Sequence, residues 1–208
     1  MRVAVDMHFL QDKAQGIKTF LSCLYKAVAK RDLMHEFVFI FDKEDHVSES
    51  WRQHGDVVTL KAKSRAARLT YGIAQAVERA GGVDVCHVNN VVPYGLSCKV
   101  LLSVHDVLYR THPEFFSNGF RFSQQIAAVW SFRRADIIAL GSKYTLNQVS
   151  RLYPNLLDNM RLLYNGVDVD SYLSLPRDIA KQFIRDKYGL DNFILSVGRI
   201  DPRKKQPC

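Results

Sequence analysis

Residues 37–41 read Phe37-Val38-Phe39-Ile40-Phe41, five large apolar side chains in an unbroken run. Successive side chains of a strand point to opposite faces, so a strand of this composition is apolar on both sides and needs cover on both. Upstream, Arg2 to Met7 is a buried strand that emerges at the polar Asp6 and His8. Residues 17 to 30 then carry Ile17, Phe20, Leu21, Leu24 and Val28 at spacings of three and four, the pattern of an amphipathic helix. Downstream, Val57 to Leu60 is a third strand, and residues 63 to 80 form a helix with Ala66, Leu69, Ile73, Ala76 and Ala80 on one stripe. Strands at 83–89 and 99–105, a helix at 119–134, a strand at 136–140, a helix at 143–153 and a strand at 161–164 complete the series. Doubly apolar strands alternating with helices predict an α/β, doubly wound, mostly parallel sheet.

The stretch from Asn165 to Pro176 has little periodicity and predicts a connection between domains. A helix follows at 177–188, and Asn192 to Arg199 reads as a fresh strand ending in glycine and a cation. The expected organisation is a first domain over 1–166, a linker and helix over 167–190, and the opening strand of a second α/β domain over 191–208. One strand cannot satisfy its own edges, so that last piece is expected to pack on the first domain, to fray, or to belong to a longer parent.

Of the 208 residues, 47% are apolar and 24% charged, which argues against disorder, and the formal charge of +8 points to partners that carry negative charge. Nucleic acid, anionic lipid and nucleotide diphosphates all qualify. The cysteines Cys23, Cys86, Cys98 and Cys208 are too scattered for a zinc site or a disulfide scaffold, and read as reduced thiols. The amino terminus turns polar too early for a signal peptide, and no run approaches the roughly 20 apolar residues of a membrane span. The expected location is the cytoplasm.

In open α/β sheets, ligands sit beyond the carboxyl ends of the strands. Each polar motif here falls at such a place. Gly16 lies in the loop entering the first helix, where backbone N–H groups meet phosphate or sugar oxygens, or where a plain turn needs a glycine. Ser103-Val104-His105-Asp106 brings a histidine and a carboxylate to one strand end, fit to bind sugar hydroxyls or shift a proton. His87, at a similar strand end, reads as a structural histidine satisfied by a neighbouring carbonyl. Ser142 suits a helix N-cap. Tyr164-Asn165-Gly166-Val167-Asp168 is a sharp reversal. Gly198-Arg199-Ile200-Asp201-Pro202-Arg203-Lys204-Lys205 sets four cations behind a strand, a clamp for a diphosphate or a solvated basic tail. No aromatic residues interleave with these cations, which disfavours nucleic acid as a partner.

Taken in order, Gly16-Ile17, His105-Asp106-Val107 with Pro113-Glu114, Arg134-Ala135-Asp136-Ile137-Ile138 leading to Ser142, Asn165-Gly166-Val167-Asp168, and Gly198 to Lys204 resemble glycosyltransferase family 4, whose members have the GT-B fold. The resemblance runs along the whole chain. It implies transfer of a hexose from a nucleotide-sugar to a saccharide or lipid-linked acceptor, with retention at the anomeric carbon and without a metal or other cofactor. It further implies acceptor binding on the amino-terminal domain and donor binding on the carboxy-terminal one. Carried over residue by residue, His105 and Asp106 are the catalytic candidates, with His105 against the transferring sugar and Asp106 supporting its loop. Gly16, Ile17, Arg199 and Lys204 are the candidates for the donor diphosphate.

Two departures matter. The family's paired glutamates of the second domain have no counterpart, since Glu36 and Glu44 have the spacing but flank a strand of the first domain. The first loop lacks the family's second glycine, reading Gly16-Ile17-Lys18-Thr19-Phe20. These 208 residues alone are therefore expected to lack transferase activity. Lys63, Arg65, Arg68 and Arg79 are expected to offer a basic surface to anionic membranes, at the inner face. A non-catalytic acceptor-binding module is the alternative. A nicotinamide oxidoreductase is disfavoured, because the glycine fingerprint and its acidic partner are missing.

Overall fold

The computed structural model describes residues 1–11, 16–31, 34–169, 175–195 and 197–198. The chain divides into two compact units, Met1–Gly166 and Val167–Cys208.

The first unit is a seven-stranded sheet: β1 (Arg2–Asp6), β2 (Glu36–Phe41), β3 (Asp56–Thr59), β4 (Val85–Asn89), β5 (Lys99–Val104), β6 (Ile137–Leu140) and β7 (Met160–Leu162). Their spatial order is β3-β2-β1-β4-β5-β6-β7, and every pairing is parallel. The chain works outward from β1 to β3, then returns to place β4 on β1's other side. That reversal leaves a crevice at the carboxyl ends of β1 and β4, the natural ligand position in such sheets.

The run at 37–41 does what its composition requires. Phe37, Phe39 and Phe41 pack with Val5, Met7, Phe20, Leu21, Tyr25 and Trp51 on one face. Val38 and Ile40 join Ala4, Ile73, Leu102, Phe132, Ile138 and Val149 on the other. The first helix, Gly16–Ala29, covers the first face at β1 and β2, while the helices 65–79, Asn118–Arg134 and Lys143–Leu152 serve the second.

Helix 65–79 departs from its expected stripe. Its middle turn, Arg68–Gly72, is π-helical, and Ala66 is exposed while Arg68 is buried. The wider turn rotates Arg68 inward, so it is not part of the basic surface expected of it. Arg79 is also engaged, donating from Nη2 to the Thr59 carbonyl at 2.8 Å. Gly72 is needed there, since a Cβ would come within 2.9 Å of that of Ala62.

Ser142 caps its helix as expected, accepting the Thr145 N–H at 3.1 Å. Cys23, Cys86 and Cys98 are free thiols, and Cys208 lies outside the described residues.

In the second unit the helix Arg177–Tyr188 forms as expected and ends at Gly189, whose φ of 67° is the left-handed conformation of a helix terminus. The strand expected at 192–199 is absent from its described residues, 192–195 and 197–198. Ile194 is fully exposed there, and a strand without a hydrogen-bonded neighbour has no ladder to hold it. No described helix is long and apolar enough to cross a membrane.

Candidate functional site

The carboxyl edge of the sheet gathers polar groups from five strands. Next to the first helix, a shallow, closely packed cleft is lined by Phe20, Ser103, His105, Ala139, Gly141 and Asn165, with Val104 and Leu163. Register explains why these residues meet. Ser103 pairs with Ala139 across β5 and β6, and alternation puts His105 and Gly141 one step on, on the same face. The side chains at 103 and 139 are small and nearly fully buried.

His105 is the best-held group. Its Nε2 lies 3.1 Å from Asn89 Oδ1, Phe20 meets its ring edge-on with centroids 5.0 Å apart, and its carbonyl accepts the Thr145 hydroxyl at 3.2 Å. Burial holds the imidazole below its ordinary pKa, and the nearby Asp106 charge only partly opposes this. The ring is therefore neutral at pH 7, a hydrogen-bonding group rather than a cation. Asp106 is exposed, and its Oδ1 accepts the Leu108 N–H at 3.1 Å, which ties down the following turn.

Behind the cleft, His87 is fully buried. Its Nδ1 sits 2.5 Å from the Tyr25 hydroxyl and its Nε2 2.8 Å from Ser103 Oγ. Burial, with the neighbouring His105, pushes His87 down to about 4 and raises the Tyr25 phenol far above its ordinary value. Tyr25 thus donates to Nδ1, and Nε2–H donates to Ser103. His87 is structural, satisfied by two hydroxyls rather than the expected carbonyl.

On the other side of the crevice, Arg68 Nη1 donates to Asp6 Oδ2 at 2.8 Å and lies 3.1 Å from His8 Nδ1, itself 2.9 Å from Asp6 Oδ1. Burial alone would raise the Asp6 carboxyl, but His8 and Arg68 outweigh it and hold it below its ordinary value. This buried trio fixes the end of β1, where the chain turns toward the first helix.

Gly16 opens that helix with nothing within 4 Å of where a Cβ would stand. Ile17 is half-buried, its side chain packed on the core cluster of Val5 and Phe20, so only its backbone is offered to a ligand. Gly16 and His105 thus belong to one edge, joined through Phe20, one turn along the helix. Arg199 and Lys204 lie outside the described residues. Among the described residues, no group of three His, Cys, Asp or Glu side chains could hold a metal ion. Asn89, Phe20 and the Asp6–His8–Arg68 trio were not singled out as site residues from sequence. Polar residues at strand ends were the available signal.

The family model described as Glycosyltransferase Family 4 matches residues 14–171. The chain is similar to YtcC of Bacillus subtilis (strain 168), a provisionally named glycosyltransferase, with 25% identity over 139 residues, covering 61% of this chain and 32% of YtcC. Among solved structures, a glycosyltransferase from Rickettsia africae ESF-5 superposes with a TM-score of 0.55 at 13% identity, covering 90% of this chain and 49% of that one. Phytolacca americana UGT2, complexed with UDP-2fluoro-glucose and pterostilbene, gives 0.54 at 11%, covering 88% and 57%. The chain thus spans about a third of YtcC and about half of each solved relative. A family match over most of the chain and a shared Rossmann-like fold agree with the sheet edge described above: the protein belongs to Glycosyltransferase Family 4.

Proposed function

We propose that this chain is the acceptor-side half of a retaining hexosyltransferase that moves a sugar from a nucleotide-sugar to a saccharide or lipid-linked acceptor without a metal. The observation that carries this is the cleft at the carboxyl edge, where a neutral, firmly held His105 packs edge-on against Phe20 of the first helix. A neutral imidazole binds sugar hydroxyls without trapping the diphosphate. The UDP-2fluoro-glucose held by UGT2 supports a nucleotide-sugar as donor. Gly16 and the Ile17 backbone would meet the diphosphate from this side. Arg199 and Lys204 would neutralise charge on the leaving phosphate, and Asp106 would steady the His105 loop. The nucleotide would sit mainly on a second domain, which leaves the 208 residues inactive alone.

The test is transfer of radiolabelled sugar from a panel of nucleotide-sugars. It is run with the chain alone and with the chain joined to the carboxy-terminal half of a full-length relative. Turnover only by the joined protein is expected. Turnover by the chain alone would overturn the divided site, and failure of a folded joined protein would favour a non-catalytic acceptor-binding module.

A second element of this reading is peripheral attachment to an anionic membrane at its cytoplasmic face. Besides the exposed Lys63, Arg65 and Arg79, the surface that supports it is helix Asn118–Arg134. There Phe122, Ile126 and Trp130 stand exposed at spacings of four, Tyr94 stacks on Trp130, and Arg133 extends the row with no carboxylate on the helix. An outward apolar stripe ending in a cation suits the interface of an anionic bilayer.

A further inference from the structure

We propose that Asn89 is the positioning residue that decides which nitrogen of His105 meets the ligand: its amide oxygen takes the Nε2 proton, leaving Nδ1 as an acceptor for a sugar hydroxyl. The proposal rests on the sugar-facing role given to His105 above, yet the ring's proton can be located with no sugar present, so the two ideas fail separately.

Asn89 ends β4 and pairs in register with Ser103, which places it beside the strand end that carries His105. It is only 4% exposed, and the chain turns sharply after it. Asn90 adopts a φ of 62°, with its N–H bonded to the Ser103 carbonyl at 2.9 Å and the Val91 N–H bonded to the Asn89 carbonyl at 2.7 Å. Asparagine is the non-glycine residue that best tolerates the left-handed conformation, and here that turn fixes the backbone that aims the Asn89 amide. The amide oxygen faces His105 Nε2 at 3.1 Å, while Nδ2 is buried and bonds nothing among the described residues. Leaving a buried donor unpaired is costly, so core packing does not explain an asparagine here; a bond through its oxygen does.

The consequence is chemical. A neutral imidazole carries one proton, and if Nε2 donates it to Asn89, Nδ1 presents a lone pair. Nδ1 bonds no described residue. A lone pair accepts the O–H of a sugar but repels ionised phosphate oxygens, which bring only lone pairs of their own. His105 therefore selects the sugar end of a nucleotide-sugar, and the diphosphate is met elsewhere.

The experiment is ¹⁵N NMR of the 208-residue chain with labelled histidine, His105 being assigned from the spectrum of H105Q. The expected result is a neutral ring protonated on Nε2, that proton being protected from exchange. In N89D, whose carboxylate can only accept, the proton should stay on Nε2 and the ring should titrate at higher pH. In N89L the protection should fall roughly tenfold and both tautomers should appear. A wild-type ring protonated on Nδ1, displacement of the proton in N89D, or an N89L ring identical to wild type would each overturn the proposal. Unfolding of N89L would not shelter it, because the near-isosteric N89D tests the same bond.

Discussion

Replacing Arg68 by leucine removes one partner of a buried ion pair and leaves the other in place. Asp6 is 2% exposed and Arg68 9%, and their contact at 2.8 Å is an internal one. After the change, only His8 remains of the two groups that hold Asp6 ionised in spite of its burial. Stripping one partner from a buried pair costs up to about 3–5 kcal/mol, reached to the extent that His8, the stronger partner, fails to compensate the charge left on Asp6. For a chain of this size that lowers Tm by roughly 6–20 °C. Urea and thermal unfolding followed by circular dichroism would read the loss.

The pH dependence follows from the sign of the Asp6 shift. Its folded pKa lies below the ordinary 3.8, so its contribution is fully present above that value and is lost as pH falls through the folded pKa. In R68L the carboxyl titrates higher, protonation relieves the buried charge, and the gap from wild type narrows on acidification. The double variant D6N/R68L, with no charge left to bury, should recover a large part of the single variant's loss. R68L within about 1 kcal/mol of wild type at pH 7, or a double variant equal to the sum of its singles, would refute this account of the trio.

His87 gives a second pH test. Its pKa falls from 6.5 in the unfolded chain to about 4 when buried, so stability is full above pH 6.5 and declines by roughly 3 kcal/mol as pH drops toward 4. Urea midpoints of wild type and H87F between pH 7 and 4.5 should converge, and a wild-type midpoint flat across that range would contradict the buried neutral ring. For the membrane face, co-sedimentation with phosphatidylglycerol vesicles should weaken at least several-fold in F122S/I126S; binding indifferent to lipid charge would count against it.

The sheet was legible because its strands carry their own signature. Phe37 to Phe41 needs cover on both faces whatever surrounds it, and every predicted strand of the first unit formed within a few residues of its expected limits. The helix 65–79 was misread in part because its fate depends on a residue far away. Arg68 looks like one more surface cation until Asp6, 62 positions earlier, is placed beside it by the fold. The same holds for Asn89, whose value lies in His105 at the end of the adjacent β5, which no local pattern reveals. The position of His105 at the carboxyl edge was legible because it directly follows a doubly apolar strand, at the end where these sheets bind ligands. The 192–199 segment has a strand's composition, but composition alone supplies no pairing partner.

Sugar handling at the carboxyl edge is tested most directly by chemical-shift mapping of the ¹⁵N-labelled chain against UDP-hexoses and free saccharides. Shifts gathered at Phe20, His105, Gly141 and Asn165 are the predicted result. Shifts gathered instead at the opposite strand ends, around Arg2, Asp84 and Lys99, or no saturable shift with any sugar, would contradict it.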